Sequence, residues 1–195
     1  KLLVSGDTHE STRDILQDKL LGARADQPEK FGQGLIPGTA IHGVVRRPHV
    51  PGAVEMARIK HVNGGESEIW FRSYVQGREI FQGFELDGFW PDEECPEDVY
   101  TEGLVRLMTL RGLCTLTFTP LKGTTPLVKN LLDNSKMEEA NRYVVRCGWD
   151  DSPHLGQQEK DELFAKLPPH QRDARTKGIP SLGAGAIYPV LEEAI

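Results

Sequence analysis

Cysteine is scarce in this chain of 195 residues, with only Cys95, Cys114 and Cys147. An odd number of distant cysteines without a C-x-x-C excludes a disulfide framework and the usual thiolate zinc spacing, and it suits reduced thiols in a cytosol. No apolar run approaches the ~18 residues of a membrane span, and the opening lacks the charged-then-apolar pattern of a signal peptide. Basic excess is also absent. With 23 Lys plus Arg against 29 Asp plus Glu, the net charge is −6, which argues against a chain-wide footprint for nucleic acid but allows a local basic groove. The 20 glycines and 13 prolines stay below the roughly 25–30% typical of low-complexity disorder. What is present is 38% hydrophobic residues, enough for one domain or slightly more around a sizeable core. The chain opens on Lys1 and runs directly into an apolar strand, so a piece of a longer polypeptide is expected.

Leu2–Val4 reads as a buried strand. Asp7 with Glu10 suggests a capping box for a helix from Glu10 to Leu21, ended by Gly22. Residues 23–51, rich in Gly, Pro and Arg, read as a long loop. Ala53–Val62 and Ser67–Val75 flank Asn63-Gly64-Gly65 and predict a β-hairpin. A helical turn is expected around Arg78–Gln82, then a short strand at Gly88-Phe89-Trp90. Pro96 suits the first position of a helix from Glu97 to Leu110, with Tyr100, Leu104, Leu107 and Met108 on one face and Gly112 at its end. Leu113–Thr119 has the near-continuous β-branched and apolar character of a central parallel strand. Thr125–Leu132 and Gln157–Leu167 read as helices, Tyr143–Cys147 as a strand, and residues 178–189 as a linker. Strands alternating with helices make the class α/β with a mostly parallel sheet.

Ligands of such sheets bind at the carboxyl ends of the strands. Asp92 and Glu93 follow one such strand, in the order that lets an Asp hold a Mg²⁺ shell and a Glu accept a proton from an attacking water. The plain alternative is that Glu93, Glu94, Glu97 and Asp98 simply favour a helix start. The strand ending at Thr117-Phe118-Thr119-Pro120 follows through one crossover helix and brings hydroxyls toward the same edge. G-x-x-x-x-G-K-[ST] occurs nowhere, and Lys122-Gly123-Thr124 has the wrong order to imitate it.

Taken together, these segments resemble the large terminase subunit of tailed bacteriophages, the ATPase that drives DNA into the procapsid. The resemblance is carried by Val4-Ser5-Gly6, residues 10–15, Gln17, Leu20-Leu21-Gly22, Ser73-Tyr74 and Phe81-Gln82-Gly83. It continues through residues 92–96 with Tyr100, Glu102 and Arg106, then residues 117–121 with Gly123, residues 151–155, 175–180 and 185–189. It implies a partial P-loop ATPase domain of the ASCE, RecA-like type over residues 1–135, with an inserted hairpin, and over residues 136–195 the end of that domain and a linker leading toward a nuclease domain. It further implies Asp92 as the Walker B aspartate and metal-shell ligand, Glu93 as the catalytic carboxylate, and Thr117 and Thr119 as nucleotide-sensing members of the coupling motif. ATP and Mg²⁺ are the implied cofactors. Double-stranded phage DNA, a portal protein, a small terminase subunit and a homo-oligomeric ring are the implied partners, in the host cytoplasm and transiently on the procapsid.

Two departures stand out. Pro91 replaces the β-former usual before the Asp and cannot donate a ladder hydrogen bond. Gln82 stands where the family often places an arginine finger, leaving Arg78 or Arg72 for that role. Two other classes compete. Asp7-Thr8-His9 after a strand resembles the opening of a metallophosphoesterase, but the later Gly-Asp, Gly-Asn-His and His-x-His ligands are missing. A non-catalytic DNA-binding module would use Arg46, Arg47 and His49, or Arg172, Arg175 and Lys177, on phosphates.

Overall fold

A computed structural model describes residues 1–22, 27–133 and 142–180. The chain divides into two compact units, residues 1–118 and 119–195. The domain boundary expected after residue 135, and all but the first three residues of the linker expected at 178–189, lie outside the described residues.

The first unit is built on a six-stranded sheet in the order β2-β3-β4-β1-β5-β6. Its strands are β1 (Leu2–Gly6), β2 (Ile41–Arg46), β3 (Val54–Lys60), β4 (Glu66–Ser73), β5 (Gly88–Pro91) and β6 (Leu113–Cys114). The pairs β4–β1, β1–β5 and β5–β6 are parallel, whereas β2–β3 and β3–β4 are antiparallel. The α/β class with a mostly parallel sheet is therefore what the chain adopts. The expected hairpin forms, and its second strand β4 pairs through Ile69–Ser73 with β1, which ties the hairpin into the main sheet. The long loop is corrected, because residues 41–46 add β2 as an antiparallel strand beside β3.

β1 lies between two parallel neighbours, which is why Leu3, Val4 and Ser5 are fully buried. One face is covered by a continuous helical run: α1 (His9–Ser11), a π-helical turn (Thr12–Gln17) and α2 (Asp18–Leu21). Leu16, Leu20 and Leu21 pack there against Val4, Val54, Ala57, Ile69 and Phe71. The run is capped by Thr8, whose side chain accepts from the Ser11 N–H at 3.1 Å. The box is thus Thr8 with Ser11, not Asp7 with Glu10. Gly22, in the left-handed region at φ 78°, closes the run. Gln17 is buried in this layer and binds backbone on both sides of its amide: it donates to the Gly52 carbonyl at 3.1 Å and accepts from the Val54 N–H at 2.7 Å.

The opposite face carries α3 (Glu97–Leu107). Its buried residues are Val99, Gly103 and Leu107, while Leu104 and Met108 are exposed. The expected apolar face is rotated because Gly103, lacking a Cβ, lets the helix settle on the Phe89 ring. The Phe89 ring meets Phe81 edge-on with centroids 6.2 Å apart.

Leu113–Thr119 is corrected from a central strand to a short one at the sheet's edge. Only Leu113 and Cys114 pair regularly, followed by a parallel bridge between Asp92 and Thr117. Pro91 supplies the reason, since it has no N–H to continue the β5–β6 ladder. In the second unit, Thr125 caps α4 (Pro126–Leu132) by accepting from the Val128 N–H at 3.3 Å. α5 (Gln157–Lys166) and α6 (Arg172–Lys177) follow, with the Arg172 guanidinium 4.7 Å from the Phe164 ring centre. The strand expected at Tyr143–Cys147 does not form; Tyr143 and Val145 are exposed and the segment has no ladder partner among the described residues.

Candidate nucleotide and metal site at the carboxyl edge of the sheet

β1, β4 and β5 run parallel, so Gly6, Ser73 and Pro91 end on one edge. Asp92 and Glu93 leave β5 at that edge. The Asp92 N–H donates to the Ser5 carbonyl at 2.8 Å, which keeps Asp92 in register despite the proline before it. On the other side, the Thr117 N–H donates to the Pro91 carbonyl at 3.1 Å and the Glu93 N–H to the Thr117 carbonyl at 2.7 Å. Only the donor that proline lacks is lost.

Side chains complete the arrangement. The Thr117 hydroxyl donates to Asp92 Oδ1 at 2.6 Å, and the Trp90 indole N–H donates to Thr117 Oγ1 at 2.8 Å. The indole fills an acceptor position on the hydroxyl, which leaves its single proton directed at the carboxylate. Glu93 is exposed and sits at φ 64°, a left-handed conformation rare outside glycine and worth roughly 1–3 kcal/mol of strain. The turn is held from below by Tyr74, whose phenol reaches the Asp92 carbonyl at 2.8 Å and the Ser5 carbonyl at 3.1 Å. Burial, together with the nearby negative groups, pushes that phenol well above its ordinary pKa, so it remains a donor.

The structure brings Asp92, Glu93 and Thr117 together. Thr119 is the first residue of the second unit. Glu94 is buried and precedes α3, so it is not one of the exposed acids of the helix start, which are Glu97 and Asp98. Arg72 is committed to Glu55 at 3.0 Å and lies 5.1 Å from the Trp70 ring centre. Arg78, itself exposed, opens a 3₁₀ turn (Arg78–Phe81) and lines a broad surface hollow with Glu97, Asp98 and Glu102. Asp7 is exposed, while His9 Nδ1 lies 2.8 Å from the buried Ser73 hydroxyl. Among the described residues, no three His, Cys, Asp or Glu side chains are placed to hold a metal, and no helix is long and apolar enough to cross a membrane. Trp90 and Tyr74 were missed as site residues. Trp90 carried a signal, because two residues before Asp92 on a strand it must share the same face.

The family model for the terminase large subunit, T4likevirus-type, N-terminal, matches residues 3–195. This chain belongs to that family. A terminase large subunit of Salmonella phage P22 is 34% identical over 197 residues, covering 98% of this chain and 39% of the relative. A terminase large subunit of Enterobacteria phage LP7 is 36% identical over 100 residues, covering 51% of this chain and 20% of the relative. The terminase chain therefore spans about two fifths of the length of the first of these relatives. Among solved structures, the large terminase of a thermophilic bacteriophage is similar in fold, with a TM-score of 0.60 at 14% identity over 91% of this chain and 40% of the other. The same protein in complex with ATP-gamma-S gives a TM-score of 0.58 at 15% identity, over 88% of this chain and 37% of the other.

Proposed function

We propose that this chain supplies the Walker B and coupling elements of the ATP-hydrolysing motor of a phage large terminase, which moves double-stranded DNA into the procapsid. The observation that carries the reading is the Thr117 hydroxyl on Asp92 Oδ1 at 2.6 Å, which joins the two motifs in one hydrogen bond. The related large terminase solved with ADP and with ATP-gamma-S supports a nucleotide as the ligand. Hard carboxylate oxygens at the carboxyl edge fit Mg²⁺. The phosphates need a Gly-rich loop this sequence does not contain, so the isolated chain is expected to be inactive on ATP.

In this reading Asp92 would hold the Mg²⁺ water shell, with the Thr117 hydroxyl fixing its carboxylate. Bound ATP–Mg²⁺ supplies the electrophilic phosphorus and charge neutralisation. Glu93 orients the attacking water and takes its proton. Thr117, bonded to Asp92, and Thr119, the first residue of the second unit, would couple hydrolysis to DNA movement. Assembly as a homo-oligomeric ring on a portal protein, with a small terminase subunit, in the host cytoplasm and transiently on the procapsid, belongs to the same proposal.

The test is Glu93→Gln in the full-length subunit. The amide keeps the volume but cannot accept the proton, so hydrolysis should fall by roughly 10²–10⁴-fold while ATP binding persists. If Glu94→Gln is the inactivating change and Glu93→Gln is mild, the catalytic carboxylate has been assigned one position too early.

A further inference from the structure

At the carboxyl end of β4, on the far side of β1 from the acidic turn, basic side chains close on one small pocket. Its walls include His9, Thr12, Arg13, Arg47, Phe71 and Arg72. The space between them is about 10 Å³, room for one water-sized group. Part of the wall is the π-helical turn Thr12–Gln17, an irregularity frequent at functional sites.

The charges here do not balance. Arg13 is gripped by both carboxylate oxygens of Asp14, at 2.6 and 2.8 Å. Arg72 is paired with Glu55 at 3.0 Å. Among the described residues, Arg47 makes one side-chain hydrogen bond, to the Phe71 carbonyl at 2.6 Å, and no carboxylate lies within ion-pairing distance of it. Burial, then Arg72, lowers its pKa, with Glu55 opposing. Burial, then Arg47, likewise lowers that of His9; Glu10 opposes and Arg72 adds to the fall. A half-buried guanidinium with most of its five donors unspent, beside a histidine and a second arginine, is a site in want of an anion.

We infer that this pocket seats one oxygen of a phosphate group, bound by Arg47 and His9 with Arg72 contributing charge. A water-sized cavity admits a single oxygen while the remaining oxyanion stays at the mouth. Ser73 donates to Gln76 Oε1 at 3.4 Å, so it is able to accept from His9 Nδ1–H at 2.8 Å. Protonation then adds a donor at Nε2. The group comes either from a nucleic-acid backbone or from free inorganic phosphate, and the site uses none of Asp92, Glu93 or Thr117, so it stands or falls apart from the motor reading.

The experiment is NMR of the His9 imidazole in this chain, titrated separately with inorganic phosphate and with a short DNA duplex, using chloride as the control for ionic strength. Saturable shifts of His9 with either ligand are expected, weakened roughly tenfold or more in Arg47→Met, the scale of a hydrogen bond to a charged group, and partly kept in Arg47→Lys. Sulfate, whose charge is constant over the range, should bind more tightly as pH falls and His9 protonates. A response to the duplex alone identifies a backbone phosphate as the ligand, and a response to phosphate alone identifies the free ion; both uphold the site. A wild-type His9 indifferent to both ligands, or equal affinity in Arg47→Met, overturns it.

Discussion

Substituting Gly103 by alanine probes how the helix on the far face fixes the strand that carries Asp92. An added Cβ would lie 2.1, 2.4 and 2.8 Å from Phe89 Cε1, Cδ1 and Cζ. Phe89 is 1% exposed and Phe81, against its edge, is fully buried, so the ring has no space to retreat. Overpacking a core costs about 1–3 kcal/mol, and three ring atoms inside contact distance place this case at or above the top of that range. Alanine returns ~1 kcal/mol of helix propensity. The net loss is then about 2 kcal/mol, a fall of roughly 4–8 °C in Tm for a chain of this size. Circular-dichroism melts of wild type, Gly103→Ala, Phe89→Leu and the double variant measure it. Phe89→Leu should relieve part of the clash, giving a favourable coupling between the two sites. A Gly103→Ala protein with unchanged or higher Tm would refute the close packing of α3 on β5.

In the full-length subunit, Thr117→Val should weaken Mg²⁺-dependent nucleotide binding and Thr117→Ser should restore it, measured by titration calorimetry; equal behaviour of the two would remove the hydroxyl from the site. Gln17→Leu strands the buried Val54 N–H and should cost about 1–3 kcal/mol in urea unfolding. His9 has a folded pKa below its unfolded value, so the unfolded state binds more protons between the two. Stability should therefore fall as pH drops below the unfolded value of about 6.5 and level off once the folded His9 is protonated, and His9→Gln should flatten that slope in pH-dependent melts.

Most elements of the first unit were legible because local signals and tertiary packing agree there. The Asn63-Gly64-Gly65 turn, the glycine after the first helical run and the apolar β1 each specify their structure within a few residues. The failures share a cause, which is information held by a partner distant in sequence. β2 is an outer strand with a half-exposed, arginine-bearing sequence, and only β3 makes it a strand. The face of α3 is chosen by Phe89, not by the helix's own larger residues. β6 is cut short by Pro91, a residue of the neighbouring strand. The acid pair could be read from its position after a strand. The hydrogen bonds that set its geometry could not, because Tyr74 and Thr117 reach it from 18 and 25 residues away.

Tyr74 also bears on the order in which the molecule assembles. Its phenol joins carbonyls 69 residues before it and 18 residues after it, so that atom finds its place only when β1, β4 and β5 are already side by side. Contacts of such separation form after the closure of long loops has been met. The strained turn at Glu93 is held in part by that clamp, which draws on three strands far apart in sequence. A chain in which β4 has not docked onto β1 would lack both the core that Ile69 and Phe71 share with Val4 and the clamp beneath the acidic turn, so the arrangement around Asp92 and the core of the first unit depend on the same strand pairing.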